Sequence, residues 1–218
     1  MRIEQQNAPE TTPILLDEIK EHLRIDGAEE DANLGALGAA AVAVIETHLD
    51  MALVNRPVVI YLDSWPAAGS RSVDVPWWSG VAEGAITELE QVAYHAPLPV
   101  KPVQSVEAVE IITAGGSTVA WGVENYYLKP GINPALVRQY GRAWPVSGAV
   151  AEGIRISVTA GFGANWNHVP ASIRQALLML VTHMYYNKGD APTGIATGNP
   201  LKASGASNFL TAYRDMRL

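Results

Sequence analysis

Residues 154–186 read IRISVTAGFGANWNHVPASIRQALLMLVTHMYY, and the stretch holds a change of pattern that decides the fold. Gly153 to Thr159 reads as a strand. Ala160-Gly161-Phe162-Gly163 interrupts it, and Pro170 stands where a helix can start, because proline is tolerated in a first turn. Ile173, Leu177, Leu180 and Met184 then make one apolar stripe at helical spacing, which predicts a helix over about Pro170 to Asn187.

Working outward toward the N-terminus, the strand belongs to a longer β-rich stretch. Val58, Ile60 and Leu62 alternate with Val59, Tyr61 and Asp63. Further strands are predicted at Ser105–Thr113, Ser117–Val123, Tyr126–Lys129 and Ala135–Tyr140, with Gly115-Gly116 as a hairpin signal. Ser79–Ala96 reads as either a helix turn built on Ile86, Leu89 and Val92 or an irregular loop. Before this stretch lie two helices. The first, Ile14–Ile25, has Leu16, Ile19 and Leu23 on one face and Asp26-Gly27 to end it. The second, Glu29–Leu53, carries Leu34, Leu37, Ala41, Ile45 and Leu49 at spacings of three and four. Gly35 and Gly38 cost about 1 kcal/mol each against alanine inside a helix, so close approach of another helix, a subunit contact among the options, is one reason for them. A poorly formed first turn is the other.

The expected architecture is α+β: an N-terminal helical part (1–55), an inserted antiparallel β module (56–160), a C-terminal core helix (161–187) and an extended tail (188–218). Residues 188–208 are rich in Gly, Pro, Ala, Ser and Thr. The end of the chain restores Phe209, Leu210, Tyr213 and Met216 beside Arg214 and Arg217, a pattern that seeks a partner or folds back on its own helices.

At 218 residues and 48% hydrophobic content, the chain can bury a sizeable core. It has no cysteine, which excludes disulfides, thiolate metal sites and cysteine nucleophiles. The opening MRIEQQNAPETTP has no apolar segment and no stretch reads as a membrane span, so a soluble protein made in the cytoplasm is expected. Residues 1–159 hold ten Lys and Arg against twenty Asp and Glu, and residues 160–218 five against two. An acidic body with a mildly basic end does not match a general nucleic-acid binder. It does suit a surface past which DNA slides without adhering, as well as plain solubility.

Catalytic patterns are absent from the sequence. No serine sits in Gly-x-Ser-x-Gly, and no Gly-x4-Gly-Lys-[Ser/Thr] loop occurs. Gly161-Phe162-Gly163 lacks the third glycine of a dinucleotide fingerprint, since position 166 is Trp166. His22, His48, His95, His168 and His183 show no metal-site spacing. His183, beside the apolar stripe, is a candidate subunit-contact histidine. Asp26, Glu29, Glu30 and Asp31 lack calcium-loop spacing and read as an acidic helix start. No catalytic residue, cofactor or metal is therefore expected. The tryptophans Trp65, Trp77, Trp78, Trp121, Trp144 and Trp166 lie mostly beside proline or glycine. They suit subunit contacts, with Trp77 and Trp78 foremost, or a carbohydrate-binding sandwich, or an edge of the core.

Three stretches carry a resemblance to a known family: Ile14–Asp26 with Lys20 and His22-Leu23-Arg24-Ile25-Asp26; LPVKPVQSV at Leu98–Val106; and Ile154–Tyr186, where a strand runs through AGFG into VPASIRQALLMLVTHMYY. With the closing LTAYR at Leu210–Arg214, the chain resembles the head–tail connector (adaptor, head-completion) family of long-tailed phages, found also in prophages and gene transfer agents. It departs at Leu15, where the family often has a capping threonine, and at Pro76–Pro97, which is longer than usual. The resemblance implies a structural virion protein at the head–tail junction with no enzymatic activity. It implies one copy in a twelve-membered homo-oligomeric ring that binds the portal and meets a stopper or tail-completion protein. Such a ring extends a channel for double-stranded DNA, with no sequence-specific contact and no membrane. The competing expectations are a carbohydrate-binding β module and a small hydrolase with an unrecognised site.

Overall fold

The computed structural model describes residues 1–5, 14–65, 94–131, 133–187 and 199–213. The chain divides into a helical unit, Asn7–Arg56 with Val100–Gln104 and Ala160–Leu218, and a β unit, Met1–Gln6 with Pro57–Pro99 and Ser105–Thr159.

Three main helices make the helical unit: α1 (Leu16–Leu23), α2 (Asp31–Leu49) and α3 (Ala171–Tyr186). The first two are shorter than the apolar periodicity predicts, because each ends on a left-handed residue other than glycine. Arg24 (φ 57°) closes α1 ahead of Asp26-Gly27, with the Ile25 amide donating to the Lys20 carbonyl at 3.0 Å. Asp50 (φ 53°) closes α2, with the Met51 amide donating to the Glu46 carbonyl at 3.2 Å. Leu15 precedes α1 without a side-chain capping bond, as a leucine must. α2 is also long and apolar enough by length and composition to cross a membrane, more so than the sequence reading allowed. Its buried side, however, packs within the helical core: Leu34 and Ile45 are fully buried with Ile19, Trp166, Ile173, Leu177 and Leu180.

The segment after α2 is nearly all apolar and buried from Met51 to Val54. A backbone with no helix or sheet to pair with must find partners there. The Glu46 carboxylate supplies one, accepting from the Leu53 amide at 2.8 Å and from Arg56 Nη2 at 2.8 Å. The AGFG turn supplies others: Phe162 donates its amide to the Leu53 carbonyl and the Asn55 amide donates to the Gly163 carbonyl. Gly161 (φ +142°) lies so near that a Cβ would stand 2.5 Å from the Val54 carbonyl carbon. Glycine is required there on both counts.

The β unit carries two sheets. In chain order its strands are β1 (Arg2–Gln5), β2 (Arg56–Leu62), β3 (His95–Pro97), β4 (Val103–Ile112), β5 (Thr118–Ala120), β6 (Tyr126–Lys129), β7 (Ala135–Arg138) and β8 (Ile154–Ala160). One sheet has the order β1-β2-β8-β4-β5 and the other β3-β7-β6. β8, from the diagnostic stretch, alternates buried and half-buried residues at its centre position in the larger sheet. The Gly115-Gly116 hairpin forms, with Ile111 opposite Val119 and Gly116 at φ +78°. Two strands were not foreseen. β1 pairs antiparallel with β2, Ile3 opposite Ile60, and is tied by Arg2 to Glu152 at 2.7 Å and by the Met1 ammonium to Asp63 at 3.2 Å. That ammonium and the Glu152 amide hold the Asp63 carboxyl below its ordinary value, the amide bond first. β3 pairs antiparallel with β7. Of the expected helix turn or loop at 79–96, residues 79–93 lie outside the described residues.

Removing Glu46 leaves Arg56, 8% exposed, as a buried unpaired charge. Glu46→Ala should lower the unfolding free energy by about 3 kcal/mol, and Glu46→Ala combined with Arg56→Met should recover part of that loss, as read from urea denaturation.

Candidate interaction surfaces

Within the expected extended tail, the described residues 199–213 form short turns. Asn199 accepts a hydrogen bond from the Leu201 amide at 3.0 Å and Pro200 follows at the first helical position, so a turn, α4 (Pro200–Ala203), begins there. Gly205 (φ +74°) redirects the chain into a second turn, α5 (Ser207–Leu210). Leu201, Ala206 and Leu210 join the helical core. Tyr213 packs edge-on to Phe162, ring centroids 6.5 Å apart, and its hydroxyl lies 3.2 Å from that of Ser172. Among the small residues of this stretch that are described, Ala206 is fully buried, and its smallness allows close seating on the helical core. Of the six residues expected to dock on a portal, Leu210 is buried and Tyr213 half-buried in the chain's own unit, whereas Phe209 is 42% exposed. Arg214, Met216 and Arg217 lie outside the described residues.

The five expected subunit-contact residues fall apart in a similar way. Gly38 is buried, and a Cβ on it would stand 3.1 Å from Ile14 and Ile19, so its smallness serves packing against α1 of the same chain. Gly35 is exposed with open space around it. It lies with Ala32, Ala36, Ala39, Ala40 and Ala43 on one exposed face of α2. His183 is half-buried at the end of α3, where Asn187 Nδ2 approaches its Nδ1 at 3.2 Å and donates to its carbonyl at 2.7 Å. Trp77 and Trp78 lie outside the described residues.

The other tryptophans divide between the units. Trp166 belongs to the helical core, 1% exposed, its indole donating to the Glu18 carboxylate at 2.5 Å. In the β unit, Trp65 stacks on Trp144 at 4.2 Å and 23°, and Trp121 leans on both. Tyr126 continues the cluster 5.3 Å from Trp121, and burial first, then Glu124, pushes its phenol above the ordinary tyrosine range. Ring faces spent on one another are not open to a sugar, so this cluster argues against a carbohydrate platform here. Its effect is on the β7–β8 loop: Trp65 Nε1 donates to the Pro145 carbonyl at 2.8 Å, and the Gly148 amide donates to the Ile112 carbonyl. The held loop still presents Tyr140, Val146 and Val150, each more than 90% exposed. Beside it opens a groove of about 520 Å³ lined by Tyr94, Arg138, Tyr140, Arg142 and Trp144. Arg138 lies over the Tyr94 ring at 4.3 Å and donates to the Arg142 carbonyl. Among the described residues, no three His, Asp or Glu side chains gather as a metal site would require.

No family model and no curated protein matches the chain. Solved structures do. A chain from the neck of an empty GTA particle computed with C6 symmetry has a TM-score of 0.75 at 23% identity, covering 100% of this chain and 97% of that one. A chain from the virion of a native gene transfer agent (GTA) particle gives 0.74 at the same identity and coverage. A chain from the neck of a native GTA particle computed with C12 symmetry gives 0.71, again at 23% identity over 100% and 97%. The likeness runs the whole length and shows the fold.

With Leu210 fully buried against α3, Leu210→Ala should lower the unfolding free energy by about 2–4 kcal/mol in chemical denaturation. A free tether would show almost no change. Tyr126, held neutral by burial, contributes stability that is complete below the ordinary tyrosine pKa and declines as pH rises through its raised folded value. Tyr185, bonded to Glu30, is raised as well, so absorbance titration at alkaline pH should show late-ionising phenols that lose one member in Tyr126→Phe.

Proposed function

We propose that this chain is a structural neck protein, a head–tail connector or adaptor subunit that works as one copy in a ring of about twelve below the portal. The observation that carries the proposal is the whole-length likeness to chains from GTA particle necks, which covers both the helical and the β units. Those necks were computed with C6 and C12 symmetry. In a ring built from unlike faces of one chain, each copy must present two complementary surfaces. The exposed small-residue face of α2 around Gly35 suits one of them, because small side chains let backbones approach closely. His183, Trp77 and Trp78 remain proposed subunit contacts.

In this role the chain performs no reaction. It extends the DNA channel and links the portal to a stopper or tail-completion protein, and its excess of carboxylates keeps double-stranded DNA moving past without adhesion. For portal attachment the closing residues divide the work. Leu210 and Tyr213 anchor the segment to α3, and Phe209 with Arg214, Met216 and Arg217 reaches a portal groove and its acidic side chains.

Native mass spectrometry with and without portal tests the reading. A monomer or weak oligomer alone that becomes a ring on the portal is the expected result. A stable dimer in both conditions, or a measurable turnover lost in a variant that still folds and assembles, would overturn it.

A further inference from the structure

We propose that the groove beside the β7–β8 loop receives the acidic turn Asp26–Asp31 of a second copy of this chain. The inference rests on the ring reading above and names the two faces that meet.

The groove is positive on an acidic molecule. The chain has a formal net charge of −7, yet residues 139–151 contain Arg142 as their one charged residue and Arg138 lies just before them. Neither arginine makes an ion pair with a carboxylate among the described residues. Arg138 instead lies on the Tyr94 ring, and Tyr140 stands 94% exposed beside it. Arginine with tyrosine and tryptophan is the side-chain set enriched where proteins meet. Loop order is already established by the Trp65 bond to the Pro145 carbonyl and by the Gln139 amide bond to the Asn125 carbonyl. Little conformational freedom is then lost on contact.

The occupant is set by charge and shape. Asp17 to Asp31 holds seven carboxylates against Lys20 and Arg24. Several are engaged within the chain: Asp31 by Lys20 at 2.8 Å, Glu30 by the Tyr185 hydroxyl at 3.1 Å, and Glu18 by Trp166. Asp26 and Glu29 are exposed and enter no ion pair among the described residues. Gly27 and Ala28 between them keep the turn narrow, and Gly27 takes φ +97°, so the two carboxylates flank a slim tip. A guanidinium of one copy meeting a carboxylate of the next is a pairing of unlike segments that can repeat head to tail, and that is the kind of contact that closes rings. Nucleic acid is the other anion the groove suits. Two arginines neutralise few phosphates, however, and the net charge of −7 repels the polymer.

The absence of cysteine makes the test direct. Glu29→Cys and Arg142→Cys are prepared separately, mixed on portal-bearing particles and oxidised. The mixture should give a disulfide-linked pair at twice the chain mass that neither variant gives alone. In parallel, Arg142→Glu and Glu29→Arg should each weaken ring formation by roughly tenfold, and their mixture should restore it, since every contact between unlike copies again pairs opposite charges. Rings of undiminished stability in both single variants, or no recovery on mixing, would overturn the assignment while leaving the ring reading intact. Loss of duplex-DNA binding in Arg142→Glu with rings unchanged would give the groove to nucleic acid instead. If native protein forms no ring on the portal, the ring reading itself falls and this inference with it.

Discussion

The Glu46 carboxylate is the contact on which the helical unit turns. It sits 15% exposed on the last turns of α2 and bonds both the Leu53 amide and the Arg56 guanidinium. Ion pairs this deep contribute little net stability against a well-packed apolar replacement, but losing one partner is costly. What the pair supplies is position. It fixes Met51–Val54 in the core, the Leu53 carbonyl accepts from Phe162, and Gly161 fits because nothing projects from its α-carbon. The path by which α3 enters is thereby linked to the end of α2.

Much of this was legible in the sequence, and the reasons for success and failure are physical. The stripe Ile173, Leu177, Leu180 declares α3 because each member faces one core. The Gly115-Gly116 hairpin is readable because its turn needs a positive φ. The end of α2 was not: Asp50 adopts a left-handed conformation that its side chain only tolerates, and the apolar pattern continues through Val54 because that segment is buried without being helical. β1 escaped notice because all four residues are exposed and the strand is held through its backbone and Arg2. β3, three residues ending in proline, gives almost no pattern to read.

The interaction residues were less legible than the fold. Gly38 and Gly35 look alike in sequence, yet one lies under α1 and the other faces open space. Leu210 and Phe209 are neighbours in the chain and opposite in exposure, 0% against 42%. Trp166 and Trp144 share a loop-like context, and the first is a core side chain while the second braces a loop. In each case the sequence shows that a contact is wanted without showing which surface provides it. The groove comes almost wholly from one run, Arg138 to Trp144, joined by Tyr94, and it was not legible because a loop carries no apolar period to show which of its side chains line a concavity.

The order of segments along the chain carries a consequence for how the protein comes into being. The helical unit is assembled from three stretches, Asn7–Arg56, Val100–Gln104 and Ala160–Leu218, so its first two helices leave the ribosome long before α3 exists. Trp166 must find Glu18 across 148 positions, and Tyr185 must find Glu30 across 155. Closing such long loops is slow, and apolar faces of α1 and α2 wait uncovered meanwhile. The β strands emerge in that interval and can pair with near neighbours as they appear, β4 with β5 and β6 with β7. The late C-terminal turns at Leu201 and Leu210 then act as a latch on a core that cannot be complete until residue 210 has been made.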